Sequence, residues 1–218
     1  MNRNEFQSCL KSEGLIVSDQ ALLQFDHFHQ MLLESNQKFN LISSSDEARI
    51  YERHFLDSIG LLKLIQIPHH AQMVDLGSGA GFPGIPLKIM RPDLTMNLVE
   101  SRQKRAQFLA EVVERLGLET IRVFGQRMED LGAELSGTQI VVSRAVSTLI
   151  NLCKWSSSVF QKTGDRLIVF KGSDLDEELK RLEKKRQAYR IQQIEVMDFQ
   201  PFPLSESVFE RKLVVITF

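Results

Sequence analysis

The stretch Val74 to Pro86, VDLGSGAGFPGIP, constrains this chain more than any other. A short apolar run, Gln72-Met73-Val74, leads into Asp75; Gly77, Gly79 and Gly81 follow at alternate positions, and a periodic stretch runs from Ile85 to Met90. That order reads as strand, tight loop, helix. Glycine takes positive φ at little cost and leaves no Cβ between chain and ligand. Such a loop can therefore lie against a bound group and hand it to a helix N-terminus.

The spacing separates cofactor classes. A phosphate-cradling loop has four residues between its glycines and then Gly-Lys-Ser/Thr, which is absent here. The dinucleotide fingerprint is G-x-G-x-x-G, whereas this loop runs G-x-G-x-G with Phe82 where the third glycine of that pattern would stand. Pyrophosphate is thus disfavoured. The next expected strand, Thr95 to Val99, ends in Glu100, at the usual distance for an acid that takes ribose hydroxyls. A ribose acid without a diphosphate loop fits S-adenosylmethionine; a nucleotide and a purely structural glycine turn are the alternatives.

The chain has 218 residues, enough for one substantial core or a core with a small attached segment. With 27 Lys+Arg against 28 Asp+Glu, no overall basic field announces a polyanion, so any nucleic acid must be met by a local patch. Cys9 and Cys153 lack metal-ligand or CxxC spacing, which implies reduced thiols in a cytoplasmic protein. No apolar run approaches a membrane span.

Before the glycine loop, Asp19 can cap a helix with apolar positions Leu22, Leu23, Phe25, Phe28, Met31 and Leu32, reaching about Ser35. His27 and His29 within it have no ligand cluster at metal spacing, and no metal site is expected. A second helix is expected over Glu47 to Leu64. There Arg53 and Asp57 stand at i,i+4, which offers either an intrahelical ion pair or, with His54, a face that looks over the cofactor and holds an anionic substrate.

From Gln72 onward, strands and helices alternate: strands at Met73, Thr95–Val99, Thr120–Phe124, Gln139–Ser143 and Leu167–Lys171, with helices at Pro83–Met90, Arg102–Leu116, Met128–Leu131 and Leu149–Phe160. Alternation of this kind implies a mostly parallel sheet with helices on both faces, and ligands beyond the carboxyl ends of its strands. Ile191–Val196 and Lys212–Thr217, the latter after a Pro-containing loop, can add an antiparallel edge pair. The charged stretch SDLDEELKRLEKKRQAYR reads as a helix with a solvated face. The expected organisation is an N-terminal helical segment, 1–66, packed on an α/β domain, 67–218. Arg102, Lys104, Arg105, Arg127, Arg144 and Lys171 all follow strand ends, where together they can form a basic rim that positions phosphates.

Taken together, these pieces resemble the bacterial small-subunit ribosomal RNA methyltransferase G family, also called glucose-inhibited division protein B, of class I S-adenosylmethionine-dependent methyltransferases. The matching residues are Phe39-Asn40-Leu41, Arg53-His54-x-x-Asp57-Ser58, Asp75 to Pro86, Lys104-Arg105-x-x-Phe108-Leu109, Ser143-Arg144-Ala145 and Lys171-Gly172. Ile42 stands where the family often has Thr. The resemblance implies a Rossmann-like α/β fold and methylation of guanine N7 in a conserved loop of 16S ribosomal RNA, free or within a small-subunit particle. It implies S-adenosylmethionine held by Asp75, Gly77, Gly79, Gly81, Phe82, Glu100, Met128, Glu129 and Arg144. Arg144, His54 and Arg53 are then expected at the reaction site, with Arg53, His54, Lys104, Arg105, Arg127 and Lys171 toward RNA. A cytoplasmic monomer without DNA or membrane partners is expected. The competing readings are a class I methyltransferase on another substrate, a non-catalytic RNA-binding protein, and an NAD(P) oxidoreductase, which has the right sheet but the wrong glycine spacing.

Overall fold

The computed structural model describes residues 1–144, 146–172, 174–200, 202 and 211–218. Ala145 of the Ser-Arg-Ala motif, Ser173 and most of the Pro-containing loop before the last strand lie outside the described residues. Seven strands form one sheet: β1 (Gln72–Leu76), β2 (Thr95–Val99), β3 (Ile121–Phe124), β4 (Ile140–Arg144), β5 (Arg166–Gly172), β6 (Gln193–Asp198) and β7 (Arg211–Thr217). Their order is β3-β2-β1-β4-β5-β7-β6, and β1 to β5 are mutually parallel. Strand β7 runs antiparallel to both β5 and β6, so it enters the sheet at the end where the parallel strands finish.

The central strands are apolar on both sides because both sides are covered, whereas the edge strands β3 and β6 stay partly exposed. Met73, Ile140, Val142, Ile168 and Phe170 belong to one buried cluster; Val74, Val141, Leu167 and Val169, one residue out of phase, belong to the other. Period-two alternation thus sends successive side chains to opposite helical layers. The first layer holds α1 (Arg3–Ser12), α2 (Asp19–Asn36), α3 (Asp57–Ile59), α4 (Leu61–Leu64), α5 (Gly84–Met90) and α6 (Gln103–Arg115). The second holds α7 (Leu149–Ser156) and α8 (Asp176–Glu183).

Several local expectations shift. Helix α1 was not anticipated, although Asn2 and Glu5 form a capping box: the Glu5 N–H donates to Asn2 Oδ1 at 3.0 Å and the Asn2 N–H to Glu5 Oε2 at 2.8 Å. The cap of α2 is Ser18, which accepts from the Ala21 N–H at 3.1 Å, and Asp19 is the first helical residue. Helix α7 ends at Ser156, four residues short of Phe160, and β6 begins at Gln193.

The largest difference is the helix expected over Glu47 to Leu64. It is a chain of unlike turns: a 3₁₀ turn at Ser44–Arg49, a π-helix at Tyr51–Leu56, then α3 and α4. Tyr51 and Phe55 enter an aromatic cluster with Phe6 and Phe25, while Phe28 stacks on Phe55 at 5.4 Å. The wider π turn serves this cluster and leaves His54, between them, against Phe82 of the glycine loop. Phe82 of the glycine loop joins the same cluster through Phe28, at 5.5 Å, so the apolar core is continuous between the N-terminal segment and the sheet.

Candidate active site at the sheet's carboxyl edge

After β1 the chain turns back sharply. The N–H groups of Gly77 and Ser78 both donate to the Val99 carbonyl, at 2.8 and 3.1 Å, which pins the loop across the end of β2. Gly77 and Gly79 have φ of +73° and +57°, a region costly for residues with a Cβ. At Gly77 a Cβ would lie 2.5 Å from Val146, whereas at Gly79 it would meet nothing nearer than Arg105 at 3.6 Å. Gly79 therefore presents bare backbone to the space beside the loop.

That space is a cavity of about 580 Å³, within the usual range for small-ligand sites. Gly77, Gly79, Phe82, Glu100, Met128, Glu129, Arg144, His54, Arg105 and Arg127 all line it. Glu100 is buried at its edge: one carboxylate oxygen accepts from the Gly79 N–H at 3.0 Å and the other from the Arg102 N–H at 2.8 Å. On the N-terminal side, Leu41 and Ile42 complete the wall. Asn36 holds them there, its Oδ1 accepting from both backbone N–H groups at 2.7 and 3.0 Å. Arg105 bridges this wall to α6 by donating to the Asn40 carbonyl at 3.1 Å.

Five expected site residues do not line the cavity. Asp75 is fully buried behind the loop, where Oδ2 accepts from the Gly84 N–H at 2.8 Å and sets the start of α5. Burial pushes its carboxyl up to about 7, against the opposing pull of that hydrogen bond. Gly81 faces α2 and α5; a Cβ there would lie 2.6 Å from Ile85 and 3.1 Å from Phe28. Lys171 is drawn inward, donating to the Ser147 carbonyl at 2.9 Å and pairing with Glu178 at 2.8 Å. Glu178 in turn accepts from the Leu149 N–H, at the start of α7, at 2.8 Å. Lys104 is exposed on α6 outside the cavity. Arg53 turns away and pairs with Asp46, so the Arg53–Asp57 intrahelical pair does not form; the π turn removes the i,i+4 alignment it requires.

Asp57 instead meets Arg144 from β4, Oδ2 to Nη1 at 3.0 Å, and Arg211 from β7. Arg144 Nη2 lies 2.8 Å from His54 Nδ1, and its guanidinium carbon sits 5.0 Å from the centre of the Phe82 ring. Burial, then the charge of Arg144, lowers the His54 pKa to about 3, so the ring is neutral and Nδ1 accepts the Arg144 bond. The proton then resides on Nε2, which faces Asp46 at 3.6 Å.

Sequence reasoning missed several cavity residues. Val146 and Trp155 form the wall that follows β4. The RHxxD motif signalled Asp57 but suggested the wrong partner, and nothing local pointed to Arg211. Among the described residues no cluster of His, Cys, Asp and Glu could hold a metal ion, and no helix is long and apolar enough to cross a membrane.

The donor set fits S-adenosylmethionine. The bare Gly77–Gly79 backbone admits close approach, Glu100 offers a carboxylate to a diol, and Met128 and Trp155 offer soft and flat apolar surface to a purine. The family model described as GidB, rRNA small subunit methyltransferase G, matches residues 21–206. The ribosomal RNA small subunit methyltransferase G of Brevibacillus brevis is 36% identical, the alignment covering 99% of this chain and 90% of that protein. Its counterpart in Listeria monocytogenes serotype 4b is 34% identical, covering 100% and 91%. Among solved structures, a predicted O-methyltransferase from Agrobacterium tumefaciens matches with TM-score 0.58 and 16% identity, over 75% of this chain and 80% of that one. Aeropyrum pernix fibrillarin, solved with natively bound S-adenosyl-L-methionine, matches with TM-score 0.55 and 14% identity, over 74% and 73%. At such identities these two structures speak to the fold, a Rossmann-like class I methyltransferase sheet with N-terminal helices added.

Proposed function

The chain belongs to the rRNA small subunit methyltransferase G family, and from that premise we propose that it transfers a methyl group from S-adenosylmethionine to N7 of one guanine in a conserved loop of 16S ribosomal RNA. The observation that carries this reading is the meeting, in one cavity, of the Gly77–Gly79 backbone and Glu100 with Arg144, His54 and Phe82. One part suits a methyl donor and the other a planar, polar acceptor.

When bound, S-adenosylmethionine supplies an electrophilic methyl group. Gly77 and Gly79 would hold its methionine part, Glu100 its ribose, and Met128 and Glu129 its adenine. Guanine N7 bears an in-plane lone pair and needs no deprotonation, so the site requires no general base. The chain agrees with this: His54 is engaged and neutral, and Arg144 is a permanent cation. Guanine shows two acceptors on this edge, O6 and N7. A cation that holds O6 leaves the N7 lone pair free, so Arg144 orients the base and His54 and Phe82 shape the surface beside it. Catalysis then rests on alignment. A base stacked in a helix could not enter, so the target is presented unstacked. Lys104, Arg105 and Arg127 would meet phosphates around the entrance, and the enzyme would act in the cytoplasm as a monomer.

The test is transfer of labelled methyl from S-adenosylmethionine to purified 16S RNA and to small-subunit particles, followed by nucleoside analysis. Labelled 7-methylguanosine at one position is the expected product. Label in another nucleoside, or in protein alone, would overturn the guanine-N7 reading.

A further inference from the structure

Arg144 can align a substrate only if it is itself held, and among the described residues its acceptors come from the π-helix and the first residue of α3. Nη1 donates to Asp57 Oδ2 at 3.0 Å and to the Arg53 carbonyl at 3.4 Å, and Nη2 to His54 Nδ1 at 2.8 Å. Among these three partners only Asp57 carries charge. Its side chain is 11% exposed, and the same Oδ2 also takes Arg211, at the start of β7. One carboxylate therefore separates two guanidinium groups brought together from β4 and β7.

We propose that Asp57 is the positioning residue for methyl transfer: its carboxylate holds the Arg144 guanidinium against His54 and over the edge of the cavity, in the orientation the acceptor base meets. The inference rests on the proposed function and names a device within it. A charge-assisted bond to a nearly enclosed carboxylate is stronger and more directional than bonds to a neutral ring nitrogen or a carbonyl. Without it, Arg144 keeps two weaker acceptors and loses the carboxylate that separates it from Arg211, so the guanidinium leaves its place. Asp57 does not line the cavity, and its guanidinium partner does, which makes its role one exercised through Arg144.

The test is a double-mutant cycle on the intact chain with Asp57→Asn, Arg144→Ala and the double variant, plus Asp57→Glu. Methyl transfer gives kcat and KM, calorimetric titration gives affinity for S-adenosylhomocysteine, and melting curves confirm folding at the assay temperature. In Asp57→Asn, kcat should fall by roughly tenfold to a hundredfold while S-adenosylhomocysteine affinity stays within about twofold. Asp57→Glu should recover part of that loss. In the Arg144→Ala background, Asp57→Asn should cost nothing further, because the group it positions is gone. Losses that multiply, an unchanged kcat in Asp57→Asn, or an effect confined to cofactor affinity would each overturn the proposal. If Asp57→Asn does not fold, Asp57→Glu alone and with Arg144→Ala completes the cycle. Failure of wild-type protein to form 7-methylguanosine would count against the guanine reading instead, and the Asp57–Arg144 coupling would then be measured on whatever transfer is observed.

Discussion

The His54 imidazole lies flat on the Phe82 ring, with centroids 4.7 Å apart and planes 14° from parallel. One ring comes from a π-helix in the N-terminal segment and the other from the glycine loop of the sheet. This pair joins the two parts of the chain at the cavity, and it buries a histidine whose solvent-exposed form would titrate near neutrality.

Because His54 is held neutral down to about 3, its ionisation should be absent from the pH dependence of methyl transfer between about pH 6 and 8. The folded pKa lies below the ordinary value of 6.5, so the stability this contributes is present above that value and lost as pH falls toward 3. An NMR titration of the ring checks the first statement directly. A midpoint near the ordinary histidine value would contradict it.

Asp75 behaves in the opposite sense to most carboxylates. Its folded pKa, pushed up to about 7, lies above the ordinary 3.8, so its contribution to stability is full below that value and lost as pH rises through 7. Relative to Asp75→Asn, which does not titrate, the wild-type protein should melt progressively higher as pH falls from about 8 to 5. Paired melting curves at the two ends measure the difference; a constant offset would show that Asp75 does not titrate there.

Gly77→Ala places a Cβ at φ +73° and within 2.5 Å of Val146. The left-handed conformation alone costs roughly 1–2 kcal/mol, and the loop must also move away from the wall after β4. Affinity for S-adenosylhomocysteine should drop by about tenfold or more. Gly117→Ala is the control: φ is +60° with nothing within 4 Å of the added carbon, so it should lower the melting temperature and leave binding intact.

Trp155 is the single tryptophan of the chain and lines the cavity wall near Met128. Its emission should change on titration with S-adenosylhomocysteine. Truncation to Ala should weaken binding by about 1–3 kcal/mol, the range for a lost aromatic face against a base. A silent emission spectrum at saturating ligand would place the adenine elsewhere.

Two lysines that look alike in sequence should differ in kind. Lys104 is exposed, so Lys104→Ala should leave melting unchanged and reduce the salt slope of RNA binding by somewhat less than one. Lys171 pairs with Glu178 and the Ser147 carbonyl with its side chain 14% exposed, so Lys171→Ala should cost about 1–3 kcal/mol of stability by stranding that carboxylate. Equal behaviour of the two variants in melting and salt titrations would refute the distinction.

The sheet was legible because its central strands announce themselves locally: apolar residues in succession, followed by glycine or a polar end. Glu100 was legible for the same reason, since its distance from the glycine loop is set by one helix and one strand. The π-helix was not. Tyr51, Phe55 and Leu56 are equally compatible with an ordinary helix, and it is packing against Phe6, Phe25 and Phe28 that favours the wider turn. Lys171 stands at a strand end, as expected of a rim residue, but α8 folds back and brings Glu178 onto it.

By itself the sequence determined what depends on neighbours along the chain: the alternation of strand and helix, the bare glycine backbone, the acid that follows β2, and the motifs that mark the family. Tertiary structure alone decided the partners of Asp57, Arg144 and Lys171 at the site. Asp57 and Arg53 are four residues apart, yet Asp57 takes Arg144, 87 residues away, and Arg211, 154 away. Covalent spacing sets which groups can meet within one turn. A carboxylate withdrawn from water is held by whichever cations the sheet delivers to the same enclosed place, and that is a property of the packed fold.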